Sequence, residues 1–327
     1  MNNFIAKNIF KRTLKIVNNN KHKKIIYAAL IGNLAITMMK FFAASVSGSS
    51  AMLAEAFHST ADSGNQIMML LGLARSKKAP DGRHPFGYSK ELYFWAFIVA
   101  VSIFFVGAVL SIFEGIHKIL HPQPIVSFRL TLIVLGLSAL FEAYPWFVAL
   151  REARKIKTGT GTKSYINMAV KSKNPTVMVV LFEDTAALVG LFAAFIGISL
   201  AHYLQMSVID GITSIIIGII LLVVALFLAR ETKELLIGES ASRADRYKMY
   251  QAVSGIPEVC KCGRLMTMHL GPDDILVNLE VEFKDNLSTD EVESAIDKIE
   301  LEIKKAVPAV GKIYIEAESL RKGLADK

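Results

Sequence analysis

The chain of 327 residues is 53% hydrophobic and 20% charged. Soluble proteins carry about 25% charged residues. Here the apolar residues gather into runs of helix length, which excludes a wholly soluble enzyme and a disordered chain. Residues 1–230 hold 23 Lys/Arg against 10 Asp/Glu, net +13, and residues 231–327 hold 14 against 19, net −5. The basic residues flank apolar spans, so the charge points to a membrane and not to nucleic acid. Two cysteines exclude a disulfide framework.

A basic tail, 1–24, opens the chain. A spanning helix needs about 20 mainly apolar residues, and six stretches qualify: 25–46, 50–73, 92–116, 130–150, 176–200 and 207–229. The tail and the second and fourth connections hold 19 Lys/Arg, and the other three connections hold only Lys118 and Arg129. The positive-inside rule then places both termini in the cytoplasm or its topological equivalent. No acidic residue precedes Glu55. A mitochondrial transit segment is also acid-poor, but it is Arg-rich. Lysine dominates here without a cleavage signal, so a bacterial inner membrane is expected ahead of a mitochondrial one.

In the first span, Lys40 is expected to pair with Glu55 of the second, as a structural ion pair or as an outer gate. Asn33 and Thr37 either line a cavity or pack. The second span carries the most polar load: Glu55, His58, Asp62, Asn65 and Gln66 fall on one helical face. An ionisable residue at bilayer depth costs about 2.5–3.5 kcal/mol on insertion scales, so it marks a functional candidate. Glu142 in the fourth span is an extra ligand, a proton carrier or the partner of a basic residue. The fifth span contributes Glu183 and Asp184. At about 1.5 Å per residue, Asp62 lies about 18 Å from the outer edge and Asp184 about 13 Å from the inner one. In a core of about 30 Å those depths coincide. Imidazole and carboxylates around one buried point form a ligand set for a divalent transition metal, zinc included. Without a dication or protons, acids sharing a low-dielectric site cannot all remain ionised. Glu114 and Asp210 lie near span ends, where solvent is expected to satisfy them.

The remainder, 231–327, reads as a separate domain: helix 245–254, strands 264–270 and 275–283, helix 288–307, strand 312–317. The second strand alternates with period two, and Ser288 with Glu291 forms a capping-box pattern. This order predicts a small α+β sandwich. Cys260 and Cys262 are expected on one side of an extended segment, as a soft-metal pair or as inert thiols. No nucleotide-binding loop is present, which leaves ATP-driven pumping without support.

Three passages resemble the cation diffusion facilitator family of divalent-metal exporters: segment 55–66 (EAFHSTADSGNQ), with His58 four residues before Asp62; segment 82–91 (GRHPFGYSKE); and the C-terminal helix and strand order. The resemblance implies six transmembrane helices and a cytoplasmic ferredoxin-like dimerisation domain, hence a homodimer in a lipid bilayer. It also implies metal/proton antiport by alternating access with no prosthetic group and no enzymatic activity. Zn²⁺ is the first expectation by family, with Mn²⁺, Fe²⁺ or Co²⁺ as alternatives. His58, Asp62 and Asp184 would be ligands, and His58, whose side chain ordinarily titrates near pH 6.5, the exchange group. The family's fifth-span motif has His four residues before Asp, but Val180 stands there. The string FEDTA at 182–186 looks like the branch that includes eukaryotic zinc transporter nine. The fourth ligand is then Glu183, Glu142 or water, and an oxygen-rich site shifts selectivity toward Mn²⁺ or Fe²⁺. A transport-inactive scaffold or metal sensor is the rival reading. In the C-terminal domain, His269, Glu316 and Glu318 fall near positions where relatives place regulatory ligands.

Overall fold

The computed structural model describes residues 32–160 and 173–317. In chain order the elements are α1 (32–47), α2 (Ser50–Ser76), α3 (Glu91–Leu120), α4 (Phe128–Thr160), α5 (Pro175–Leu204), α6 (Val208–Ile237), α7 (Arg243–Ser254), β1 (Val259–Gly271), β2 (Asp274–Phe283), α8 (Thr289–Ala306) and β3 (Val310–Ala317). Among the described residues four helices are long and apolar enough to cross a membrane: α3, the Phe128–Val148 part of α4, α5 and α6. The expectation of six spans is met only in part. α2 has the length, but its polar stripe lowers its hydropathy, and residues 25–31 of the first expected span lie outside the described set, as do the tail 1–24 and Glu318. α6 runs to Ile237, past the expected end at 229, because Glu231, Lys233 and Glu234 end an apolar span without ending a helix.

The chain divides into two compact units, one drawn from Met1–Met68, Val99–Phe147 and Phe182–Leu226, the other from Met69–Ile98, Val148–Leu181 and Phe227–Lys327. In the first, α1 turns into α2 at Gly48, whose φ of +65° suits a residue without a Cβ. Asp210 of α6 then caps α2. Its carboxylate accepts from the backbone N–H of Ser50 at 2.7 Å and of Ala51 at 3.2 Å, and from Ser49 Oγ at 2.7 Å. Asp210 is fully buried, so the expected solvation is replaced by orphan helix donors and a favourable dipole. α3 and α6 approach closely through small residues: a Cβ on Gly115 would lie 2.6 Å from the Gly211 carbonyl oxygen.

In the second unit, Asn174 accepts from Thr176 N–H at 3.1 Å, and Pro175 takes the first helical position of α5. Segment 82–91 belongs to a turn built on Asp81. Its carboxylate accepts from Tyr88 Oη at 2.6 Å and from the backbone of His84 at 2.9 Å and Arg83 at 3.0 Å. These donors, Tyr88 foremost, hold the Asp81 carboxyl well below the usual range. The turn docks on the sheet: Lys312 donates to the Phe86 carbonyl at 2.9 Å, and Ser89 to Asp274 at 3.0 Å.

That sheet has order β1-β2-β3, with β2 antiparallel to β1 and parallel to β3. α8 supplies the crossover between the parallel strands. Ile275, Val277, Leu279 and Val281 of β2 point into a core with Met249, Val253, Ile299 and Ile303 of the two helices. Ser288 and Glu291 form the full capping box. The expected α+β domain is present with its expected element order. The two thiols do not share a side. Cys260 is exposed and Cys262 buried, because the pairing slips between Val259 and Lys261 and a bulge at Cys260 breaks the alternation. Burial pushes the Cys262 thiol up, away from the reactive thiolate.

Candidate metal centre

α2 carries its polar face into the first unit. Glu55, His58 and Asn65 are buried there, Asp62 is partly buried, and Gln66 is exposed, one residue too far around the helix. His58 Nδ1 stands 3.5 Å from Asp62 Oδ1, as side chains four residues apart on a helix should. Asn65 Nδ2 donates to Glu183 Oε1 at 2.7 Å, which brings Glu183 against the α2 face that carries Asp62. Carboxyls gathered in one low-dielectric region cannot all stay ionised without a proton or a cation among them. The α2 and α5 polar turns therefore meet at one level. Glu183, read from sequence as the less certain ligand, makes the direct contact. Asp184 lies beside it, with Oδ2 buried and unpartnered.

Both ring nitrogens of His58, Asp62 Oδ1 and Asp184 Oδ2 are buried without a hydrogen-bond partner, as are Asn65 Oδ1, Glu55 Oε1 and Glu142 Oε2 nearby in sequence or in the adjoining cluster. Buried polar atoms are normally satisfied, and unsatisfied imidazole nitrogen beside carboxylate oxygen has the donor chemistry that a divalent transition metal needs. Among the described residues, no three His, Cys, Asp or Glu side chains are already drawn together tightly enough to hold an ion.

A second buried cluster adjoins the first. Lys40 of α1 is fully buried and donates to Glu55 Oε2 at 3.1 Å, Ser59 Oγ at 2.8 Å and Glu142 Oε1 at 2.8 Å. The Lys40–Glu55 pair follows from their matched distances from the outer edge. The addition of Glu142, 102 residues away in sequence, has no local signal beyond the presence of a buried acid and a buried base. Thr37 Oγ1 donates to the carbonyls of Asn33 at 2.8 Å and Ser59 at 3.1 Å, joining α1 to α2.

His269 lies apart from this centre, on β1. It is buried, its backbone N–H donates to the Glu239 carbonyl at 2.9 Å, and its Nδ1 lies 3.2 Å from the Gly271 carbonyl oxygen. Burial pulls its imidazole below the ordinary range, toward the neutral form. It lines a cavity of about 260 Å³ with Lys173, Asp245 and Lys248. Glu316 pairs in register with Glu280 on β2.

Residues 26–237 match the family described as the cation efflux transmembrane domain, and residues 241–320 match the cytoplasmic domain of cation efflux proteins. The mouse protein named proton-coupled zinc antiporter SLC30A9, mitochondrial, is 32% identical over 266 residues, which is 81% of this chain and 47% of that protein. Metal tolerance protein C4 of Arabidopsis thaliana is 30% identical over 85% of this chain and 61% of its own length. Manganese efflux system protein MneP of Bacillus subtilis (strain 168) is 27% identical over 71% of this chain and 73% of its own. The chain spans about half the length of the zinc antiporters it matches.

Proposed function

Because this chain belongs to the cation efflux family, an integral-membrane family of transporters and not of enzymes, we propose that it exports a divalent metal cation in exchange for protons, with Zn²⁺ as the first substrate. The ion binds at His58 and Asp62 of α2 and at Asp184 and Glu183 of α5. The observation that carries this reading is the set of orphaned buried atoms on His58, Asp62 and Asp184 at the level where Asn65 meets Glu183. Only a cation or protons can neutralise that set. Ligands give up protons to bind metal, so loading on one side and reprotonation on the other couple the two fluxes. A rocking of the helices exposes the site to each side in turn. The zinc antiporter relatives support Zn²⁺. The oxygen-rich donor set and the manganese efflux relative support a second reading, Mn²⁺ or Fe²⁺. The six helices α1–α6 form the membrane domain, with both termini on the cytoplasmic side of a bacterial inner membrane or its mitochondrial equivalent. The C-terminal domain pairs two copies.

Proteoliposome flux under an imposed pH gradient tests this. Zn²⁺ uptake should follow the gradient and should vanish in His58→Ala and in Asp62→Ala while the protein stays dimeric. Uptake unchanged in both variants removes the site, and no flux of Zn²⁺, Mn²⁺, Fe²⁺ or Co²⁺ in the unmodified protein leaves the scaffold reading in its place.

A further inference from the structure

Lys40 is the unexplained charge in the membrane unit. An ammonium buried at this depth is costly, and its three hydrogens are all engaged: on Glu55 Oε2, Ser59 Oγ and Glu142 Oε1. Its two carboxylate partners differ. Glu55 is completely buried, and a Cβ on Gly190 would stand 2.6 Å from its Oε1, so α5 packs directly against it. Glu142 keeps 16% of its side chain accessible, although the second oxygen of each acid, Glu55 Oε1 and Glu142 Oε2, is buried without a hydrogen-bond partner. Glu142 also interacts through charge with Asp62, Glu183 and Asp184. By geometry it shares the Lys40 ammonium with Ser59, the residue next to His58 on α2. Pro145 lies three residues on in α4. It has no N–H to give the Phe141 carbonyl, so the turn that carries Glu142 lacks one rung of its ladder.

Resting on the metal-centre reading above, we infer that Lys40 is a tethered competitor of the transported cation: it holds Glu142 off the centre, and Glu142 transfers from the ammonium to the metal on loading and back on release. A dication draws in carboxylates and repels an ammonium, so the exchange has a direction. Val180 stands where the family pattern has an imidazole, and on loading Glu142 adds an oxygen to those of Asp62, Asp184 and Glu183. The apparent affinity falls by the fraction of time that Glu142 spends on Lys40, which keeps a site rich in acids weak enough to let its cargo go.

The test is Zn²⁺ titration calorimetry on the full chain in detergent, paired with Zn²⁺ flux in proteoliposomes. Lys40→Met alone strands two buried acids and threatens folding, so the working variant is Lys40→Met with Glu55→Gln, which removes one cation and one anion together. Zn²⁺ should bind about tenfold more tightly in it and leave more slowly, with flux reduced. Adding Glu142→Gln should abolish the gain, because the tether acts through that carboxylate. Unchanged or weaker binding in the working variant overturns the inference. So does a gain that persists with Glu142→Gln, which would mean simple repulsion by Lys40. A Kd in the unmodified protein that is indifferent to Asp62→Ala overturns the metal-centre reading itself, whatever Lys40 does.

Discussion

At the residue scale, buried charge is tolerated in this molecule where a fixed donor meets it. Asp210 shows the rule outside the metal centre: one carboxylate from α6 serves two backbone N–H groups and the Ser49 hydroxyl at the start of α2, with Lys118 at 4.0 Å. Asp210→Ala leaves those donors buried and unpaired, and should lower stability by about 2–4 kcal/mol. The measurement is the loss of helical signal on heating in detergent. Asp210→Asn, which keeps an acceptor, should lose less. A wild-type melting curve for Asp210→Ala would show that the cap contributes nothing. This role was not legible in the sequence, where an acid near the end of a span is indistinguishable from a solvated one. Its burial depends on where α2 begins relative to α6, a tertiary fact. The Lys40–Glu55 pair was legible, because two opposite charges at one depth in lipid must meet. Glu142 as their third member was only one of several possible partners.

At the scale of elements, periodicity carried most of the information. The α2 stripe announced a helix with one polar face, and the alternation of Ile275, Val277, Leu279 and Val281 announced a strand with one buried face. Register was less accessible. The bulge at Cys260 and the start of β1 at Val259, five residues before the expected strand, depend on pairing with Phe283 and Glu282. β1 also gives a pH-dependent element. Its His269 is buried with its imidazole pulled below the ordinary range, so the unfolded chain takes up a proton near pH 6.5 that the folded domain resists. With more protons bound in the unfolded state, stability falls as pH drops through that value. Hydrogen exchange of β1 and β2 in the full chain should therefore quicken between pH 7.5 and 5.5 after correction for intrinsic rates. His269→Gln should flatten that dependence. A slope identical in the variant assigns the effect to another group.

On the scale of the whole chain, the pattern of apolar runs and flanking positive charge was enough to read a membrane protein with a separate α+β domain. The family's two domains are matched over 26–237 and 241–320. What the sequence left open was which acids meet His58. Two adjacent acids on α5 differ by about 100° around the helix, and only packing decides that Glu183, held by Asn65, touches the α2 stripe while Asp184 stands beside it. The proposed centre draws on α2 and α5, and the donors proposed for it are one imidazole and carboxylates. X-ray absorption at the zinc edge on the metal-loaded full chain reads that set directly. The expected result is a first shell at about 2.0 Å made of one imidazole nitrogen and carboxylate oxygens, dispersed when His58 or Asp62 is replaced by alanine. A sulfur shell at about 2.3 Å, two or more imidazoles, or a shell that survives both replacements would contradict it.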